Sequence, residues 1–114
     1  MPFFEPLEKM DPKHVDLERA RKSLREELEA IDFYQERIDA TNDDSLKKLL
    51  AHNMNEEKEH AAMLIEWIRR NMDEWDKELK DYLFTSAPLG EHEDPAGGDQ
   101  ASESNLPNLG IGKL

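Results

Sequence analysis

The sequence predicts an all-α fold: an antiparallel two-helix hairpin plus a short third helix, completed to a four-helix bundle by dimerisation. Three observations carry that expectation. Helix breakers are missing from the middle of the chain: no glycine precedes Gly90, and no proline lies between Pro12 and Pro88. Apolar residues recur at helical spacing on either side of one short polar break. Two helices of this size share a single face, too little core for a stable monomer of 114 residues, so self-association is the economical way to bury both stripes.

The elements follow in order. Asp11 before Pro12 forms an N-cap and first-turn pair, and the helix it opens extends to about Ala40. "TNDDS", residues 41–45, is the turn, with Asn42 or Asp43 capping a second helix that reaches about Asn71. The short connection folds the two helices back on each other. Asp73 caps a third helix, "EWDKELKDYLF", whose Trp75, Leu79, Tyr82 and Leu83 either cover the bundle or contact further subunits. From Thr85 the composition shifts to Gly, Pro, Ser and acidic residues. Residues 1–87 are therefore expected to form the helical domain and 88–105 a disordered linker. Residues 106–114, "LPNLGIGKL", turn apolar again and read as a docking peptide.

Composition narrows the chemistry. The formal net charge is −12, from 27 acidic against 15 basic residues, which argues against a nucleic-acid partner and favours attraction of cations. With no cysteine, thiolate metal sites, iron–sulfur clusters, disulfides and cysteine nucleophiles are excluded. Any metal must be held by carboxylates and imidazoles, which suit iron, manganese or zinc. The longest uninterrupted apolar run, Ala61 to Ile65, is far short of a membrane span, and "MPFFEPLEKM" lacks the basic and apolar regions of a secretory signal. A cytoplasmic protein with no membrane association is expected.

At about 100° per residue, Ala20, Leu24, Ile31, Tyr34 and Ile38 share an arc of helix one, and Glu27 falls within it. Helix two places Leu46, Leu50, Asn53, Leu64 and Ile68 on its arc, together with Glu57 and His60 of "NEEKEHAAML". A buried unpaired charge costs several kcal/mol, on the order of the stability of a small domain. Pairing inside the bundle or snorkelling at its edge would relieve that cost, and an isolated E-x-x-H is common in a Glu-rich chain. The shared helical phase favours another solution. A single Glu plus an E-x-x-H on paired helices matches half the ligand set of di-iron carboxylate bundles. A two-fold dimer supplies the other half, so the metal pair is expected across the subunit interface. Glu57 would bridge or chelate, His60 would give one nitrogen per ion, and Glu27 would cap from the facing helix. Tyr34, two turns from Glu27, is a hydrogen-bond donor behind the ligands, a redox-active neighbour or an ordinary core aromatic. Glu26 and Glu29 form either an outer acidic collar for cations or a solvated face. His14, His52 and His92 lie off the stripe and receive no role.

The stretches "REELEAIDFYQERIDA", "AHNMNEEKEHAAMLIEWIRR" and "DYLFT" closely resemble the encapsulated ferritin family, over about residues 15–86. The resemblance implies a ferritin-like hairpin whose dimers assemble into an annular decamer. It implies a di-iron ferroxidase centre between two subunits, with Glu27, Glu57 and His60 as ligands and Tyr34 as a neighbouring tyrosine. Phe33 stands where members often have tryptophan. Glu26 and Glu29 match outer positions associated with metal entry. "LGIGKL" resembles the cargo-loading peptide that docks such proteins inside an encapsulin nanocompartment. The resemblance implies Leu106, Leu109, Ile111 and Leu114 as the shell-contacting residues, with Lys113 in place of a common serine. Apolar side chains alternating with Gly110 and Gly112 suit an extended segment lying close to a partner, and a linker gives it reach. The function implied is oxidation of iron(II) to iron(III) by oxygen, for iron storage inside the shell. The alternatives are a di-metal peroxidase and a non-enzymatic helical adaptor.

Overall fold

The computed structural model describes residues 4–91. A 3₁₀ turn, Leu7–Lys9, precedes three helices: α1 (Pro12–Ala40), α2 (Asp44–Asn71) and α3 (Asp73–Tyr82). Among the described residues there is no strand, and the all-helical, ferritin-like fold expected from the sequence is the one found.

The ends of α1 and α2 are set by side chains that answer unpaired backbone groups. Asp11 accepts from Lys13 N at 2.8 Å, with Pro12 behind it at the first helical position. At the other end, Thr41 leaves helical geometry (φ −82°, ψ 147°) while its N–H still donates to Arg37 O at 3.0 Å. The Thr41 hydroxyl accepts from Asp43 N at 3.2 Å and tightens the turn. Asp43, rather than Asn42, caps α2: its carboxylate accepts from Leu46 N at 2.9 Å and from the Ser45 hydroxyl at 2.8 Å. Those bonds, the Leu46 N–H first, hold the Asp43 carboxyl below its usual range. Lys47 then reaches back from α2 and donates to Ile38 O at 2.7 Å. That carbonyl lies in the last turn of α1, where no intrahelical donor remains, so one bond caps α1 and fixes the hairpin register.

α1 and α2 pack against each other along a seam with alternating three- and four-residue spacing, the pattern of knobs meeting holes. On α1 the row is Leu17, Ala20, Leu24, Glu27, Ile31, Tyr34 and Ile38; on α2 it is Leu50, Met54, Glu57, Ala61, Leu64 and Ile68. The most buried side chains are Val15, Leu17, Ala20, Met54, Ala61 and Ile68, with Leu17 and Ile68 each 2% exposed. This differs from the expected arc on α2 in two ways. Met54 and Ala61 are central, whereas Leu46 is 41% exposed. A fixed 100° step drifts by about 20° per heptad against the 3.5-residue seam, so an arc averaged over seven turns swings past the true row.

The core is small beside what stays outside it. Leu28, Phe33, Leu49, Met63 and Trp67 are all exposed in the single chain. α3, described by itself, has acidic residues in its first turn (Asp73, Glu74, Asp76) and Lys80 in its last, as the helix dipole favours. The pairs Lys77–Asp81 (2.8 Å) and Lys80–Asp76 (3.1 Å) span its turns. It ends at Tyr82, two residues short of the expected Phe84, whose φ of 60° is unusual for a bulky residue and turns the chain without glycine. The start of the expected linker makes a turn, with Glu91 N donating to Pro88 O at 3.2 Å. The rest of that linker and the peptide 106–114 lie outside the described residues.

Ile68 is the test of the seam. Ile68→Ala should lower the stability of the hairpin by about 2–5 kcal/mol, because it empties a site with no exposed volume to collapse into. Chemical denaturation followed by circular dichroism would check it, and a midpoint unchanged from wild type would contradict the packing.

Candidate metal centre

Glu27 and Glu57 occupy seam positions that their neighbours in the row fill with apolar residues. Leu24 and Ile31 flank Glu27 on α1; Met54 and Ala61 flank Glu57 on α2. Their side chains are 24% and 23% exposed, so each carboxylate is largely withdrawn from water. His60, one turn after Glu57, sits at the border of the seam with a side chain 46% exposed. The expected core-facing imidazole is therefore an edge residue, with one side towards the carboxylates and the other towards solvent. Its Nδ1 is 3.5 Å from Glu27 Oε1 and 3.6 Å from Glu57 Oε1, too long for good hydrogen bonds. The ring is thus committed to neither carboxylate. One ligand atom from each of the three residues lies within 4.8 Å of the others, an arrangement able to hold a metal ion.

The electrostatics fit that reading. The Glu27 carboxyl is pushed above its ordinary range, first by sharing a proton with Glu57, then by burial and by the Glu57 charge; His60 opposes the shift. Two carboxylates facing each other across a seam cannot both ionise without a penalty unless a cation lies between them. Two hard oxygen donors and one imidazole nitrogen are a donor set suited to iron or manganese.

The remaining sequence-selected residues are placed differently. Tyr34 is on the α1 row, about 10 Å along the axis from Glu27 at 1.5 Å per residue. The Arg37 guanidinium lies over its ring at 5.7 Å and over that of Phe33 at 5.8 Å. Sequence inspection did not anticipate that cation above the aromatic pair, although the i, i+3 and i, i+4 spacings encode it. Glu26 and Glu29 are exposed and line an open groove of about 410 Å³ with Lys22 and Arg25. Glu26 is not a bare carboxylate there. Lys22 Nζ is 2.7 Å away, and that bond holds the Glu26 carboxyl below its usual range. His52, given no role, pairs with Glu56 at 3.2 Å on the surface.

A helical hairpin with paired carboxylates and an imidazole set into its seam defines the class: a ferritin-like helical protein with a candidate metal cluster. The chain belongs to the EncFtn-like family, whose model matches residues 2–86. It is 46% identical over 112 residues to a "Ferritin-like protein" of Thermotoga maritima, covering 98% of this chain and 96% of that one. It is 45% identical over 119 residues to an "Encapsulated ferritin-like protein" of Rhodospirillum rubrum, covering 96% and 85%. An "Encapsulin nanocompartment cargo protein", EncC of Myxococcus xanthus, is 42% identical over 74 residues, 61% of this chain and 57% of that protein. Among solved structures, a crystal structure of a Nitrosomonas europaea protein superposes with a TM-score of 0.74 at 56% identity, over 78% of this chain and 98% of that one.

The raised carboxyl of Glu27 has a definite sign. The folded chain holds that proton more tightly than the unfolded chain, so its contribution to stability is present below the ordinary carboxylate range. It is lost as pH rises through the folded value. Glu27→Gln should therefore raise the melting temperature of metal-free protein at neutral pH. The gain should shrink as pH falls through the carboxylate range. Taking the difference between the two proteins isolates Glu27 from Asp43 and Glu26, whose lowered carboxyls act in the opposite sense. Identical melting curves across that range would remove the repulsion from the account.

Proposed function

We propose that the chain is a ferroxidase. Two copies bring their hairpins together so that Glu27, Glu57 and His60 of each complete one di-iron site between subunits. There iron(II) is oxidised to iron(III) by oxygen, for storage inside an encapsulin shell. The observation that carries this reading is the three-residue cluster built into the seam, within 4.8 Å. One chain offers two carboxylates and one imidazole, half of what the di-metal carboxylate bundles use, and a two-fold axis doubles it. The exposed apolar surface of α1 and α2 supports the same pairing, since patches of this kind mark association surfaces.

Iron is the substrate. Two iron(II) ions give one electron each to dioxygen, which takes up two protons and leaves as hydrogen peroxide, with both ions left as iron(III). The residues have separate tasks. Glu57 would bridge or chelate the ions, and Glu27 would cap the site from the facing helix. Together these carboxylates supply negative charge that favours the more highly charged product. His60, at the edge, contributes a neutral donor beside the solvent side. Any proton held by Glu27, whose carboxyl is raised, must leave before a cation binds, so binding is favoured as pH rises. Tyr34 is placed on the same row as a neighbour of the centre. Glu26 and Glu29 are outer acidic positions for arriving cations, with Lys22 competing for Glu26.

The names of the Rhodospirillum rubrum and Myxococcus xanthus relatives support a cargo role inside an encapsulin nanocompartment. On the proposed reading that compartment is cytoplasmic and the dimers assemble into a decamer within it. Leu106, Leu109, Ile111 and Leu114 are the residues assigned to the shell contact. No described helix is long and apolar enough to cross a membrane.

Anaerobic titration with iron(II), followed by an oxygen pulse read in the near ultraviolet, tests the centre. Saturation is expected at about one iron per chain, with rapid oxidation abolished in Glu57→Ala. Absence of stoichiometric binding, or equal behaviour of the variant, would return the protein to a scaffold role. Deletion of residues 106–114 should abolish loading into co-expressed shells and leave iron oxidation intact. Loss of both activities would mean that the tail belongs to the catalytic unit.

A further inference from the structure

α2 carries a second row that its seam with α1 does not use. Four large apolar residues on it, Leu46, Leu49, Met63 and Trp67, are each at least 41% exposed. With Asn53, Glu56, His60 and Arg70 they recur at alternating three- and four-residue spacing along nearly the whole helix. The buried seam has the same spacing, which is that of one helix packed lengthwise on another. An extended segment, with its period of two, does not match it. The row is also continuous with the candidate metal centre. His60 belongs to it, while its Nδ1 faces Glu27 and Glu57 at 3.5 and 3.6 Å. The occupant that fits is therefore a helix that brings ligands of its own towards His60.

A second copy of α2 meets both conditions. The spacing of the row is unchanged when it is read backwards, and its midpoint falls at Lys58, between Glu57 and His60 in sequence. Two copies laid antiparallel about a two-fold axis at that level bring cluster to cluster. The same register sets Leu49 against Trp67 of the second copy, Asn53 against Met63 and Glu56 against His60, each contact occurring twice. The apolar residues alone do not choose this direction; the charges do. Parallel pairing at the same level would set Glu56 on Glu56 and Arg70 on Arg70, with the helix dipoles aligned. In the antiparallel arrangement a carboxylate meets an imidazole. Arg70, held by Glu66 at 2.6 Å, closes each end of the row with charge, as the rim of an association surface does.

We propose that α2 is the pairing helix of this chain: two copies join antiparallel along the row, with Leu49 and Trp67 as reciprocal apolar anchors on either side of the metal centre. This rests on the reading that two copies complete one site, and it adds the face, the direction and the register. Leu49 precedes Glu57 by about 12 Å along the helix, and Trp67 follows His60 by about 10 Å, so the anchors bracket the cluster almost evenly. Their burial needs no metal, and a leucine against an indole supplies the kind of central apolar contact on which association surfaces depend. A slip of one turn would part the anchors and the two clusters together.

The chain has no cysteine, so introduced cysteines report the register directly. Full-length Leu49→Cys and Trp67→Cys proteins, mixed under anaerobic iron(II) and treated with a short bismaleimide, should give a covalent dimer containing one of each. Neither variant alone should crosslink, because antiparallel pairing sets the two copies of position 49 about 27 Å apart along the axis. Crosslinking of either variant to itself, or no mixed dimer, overturns the register. Each of these variants removes an anchor, so association is also measured without cysteines, by analytical ultracentrifugation under anaerobic iron(II). Trp67→Ala should weaken the dimer about tenfold or more, and Ile65→Ala, exposed but off the row, by less than about twofold. Equal weakening by the two, or none by Trp67→Ala, overturns the anchor. The crosslink and the iron chemistry separate the two proposals. Stoichiometric iron oxidation without the mixed dimer overturns the register and leaves the ferroxidase standing. The mixed dimer without iron oxidation supports the register and overturns the ferroxidase.

Discussion

Everything about this hairpin depends on two carboxylates that face each other across a helix seam. At every neighbouring seam position the chain spends its register on apolar or small residues; at Glu27 and Glu57 it does not. Two ionised carboxylates so placed repel each other, and partial withdrawal from water strengthens the repulsion. The raised carboxyl of Glu27 is the direct sign of that conflict. A proton on Glu27 relieves it at low pH, and a cation would relieve it without one. His60, at the border and bound tightly to neither carboxylate, completes the set without adding charge of its own when neutral.

Holding two repelling groups together requires a rigid frame, and the frame is local. Leu24 and Ile31 pack one turn to either side of Glu27, and Met54 and Ala61 do the same for Glu57. The register that brings them opposite each other is set at the turn, by Asp43 at the start of α2 and by Lys47 on the Ile38 carbonyl. From that point each helix runs about three turns to the cluster, Ile38 to Glu27 on one side and Lys47 to His60 on the other. A slip of one residue at the turn would rotate Glu57 by about 100° and out of reach of Glu27. The surface ion pairs, such as Asp16–Arg19 at 2.9 Å, contribute little to this, being exposed and within a single helix.

Much of this was legible in the sequence because helices announce themselves through absences. The breaker-free stretch, the Asp11–Pro12 start and the "TNDDS" turn were sufficient to place α1 and α2 to within a residue or so at each end. Glu27 and Glu57 were legible for the same reason: a charged residue in phase with an apolar row stands out. His60 was legible as a ligand type but not as an edge residue, because a wheel drawn at a fixed angle blurs the seam and its border. Met54 was missed between two asparagines, and Ala61 because a small residue carries little weight in an apolar pattern. The Arg37 position over Phe33 and Tyr34 depends on rotamers that spacing alone does not choose. The third helix was read through Phe84, two residues past its end at Tyr82, since the positive φ of Phe84 carries no sequence mark.

On the proposed reading, incompleteness is the functional property of the single chain. A monomeric four-helix bundle can hold both metal ions with one sequence, tuning each ligand separately. A hairpin that must be doubled cannot: every ligand recurs by symmetry, so the two ions have equivalent surroundings and neither is held in preference to the other. Such equivalence suits a substrate site, where both ions must enter, lose an electron and leave. It suits a permanently held cofactor less well. Doubling also ties occupancy to association, because the charge that opposes bringing two such clusters together is the charge a pair of cations removes. The apolar rows left exposed on α1 and α2 supply attraction without direction, and the cluster decides when the faces may close.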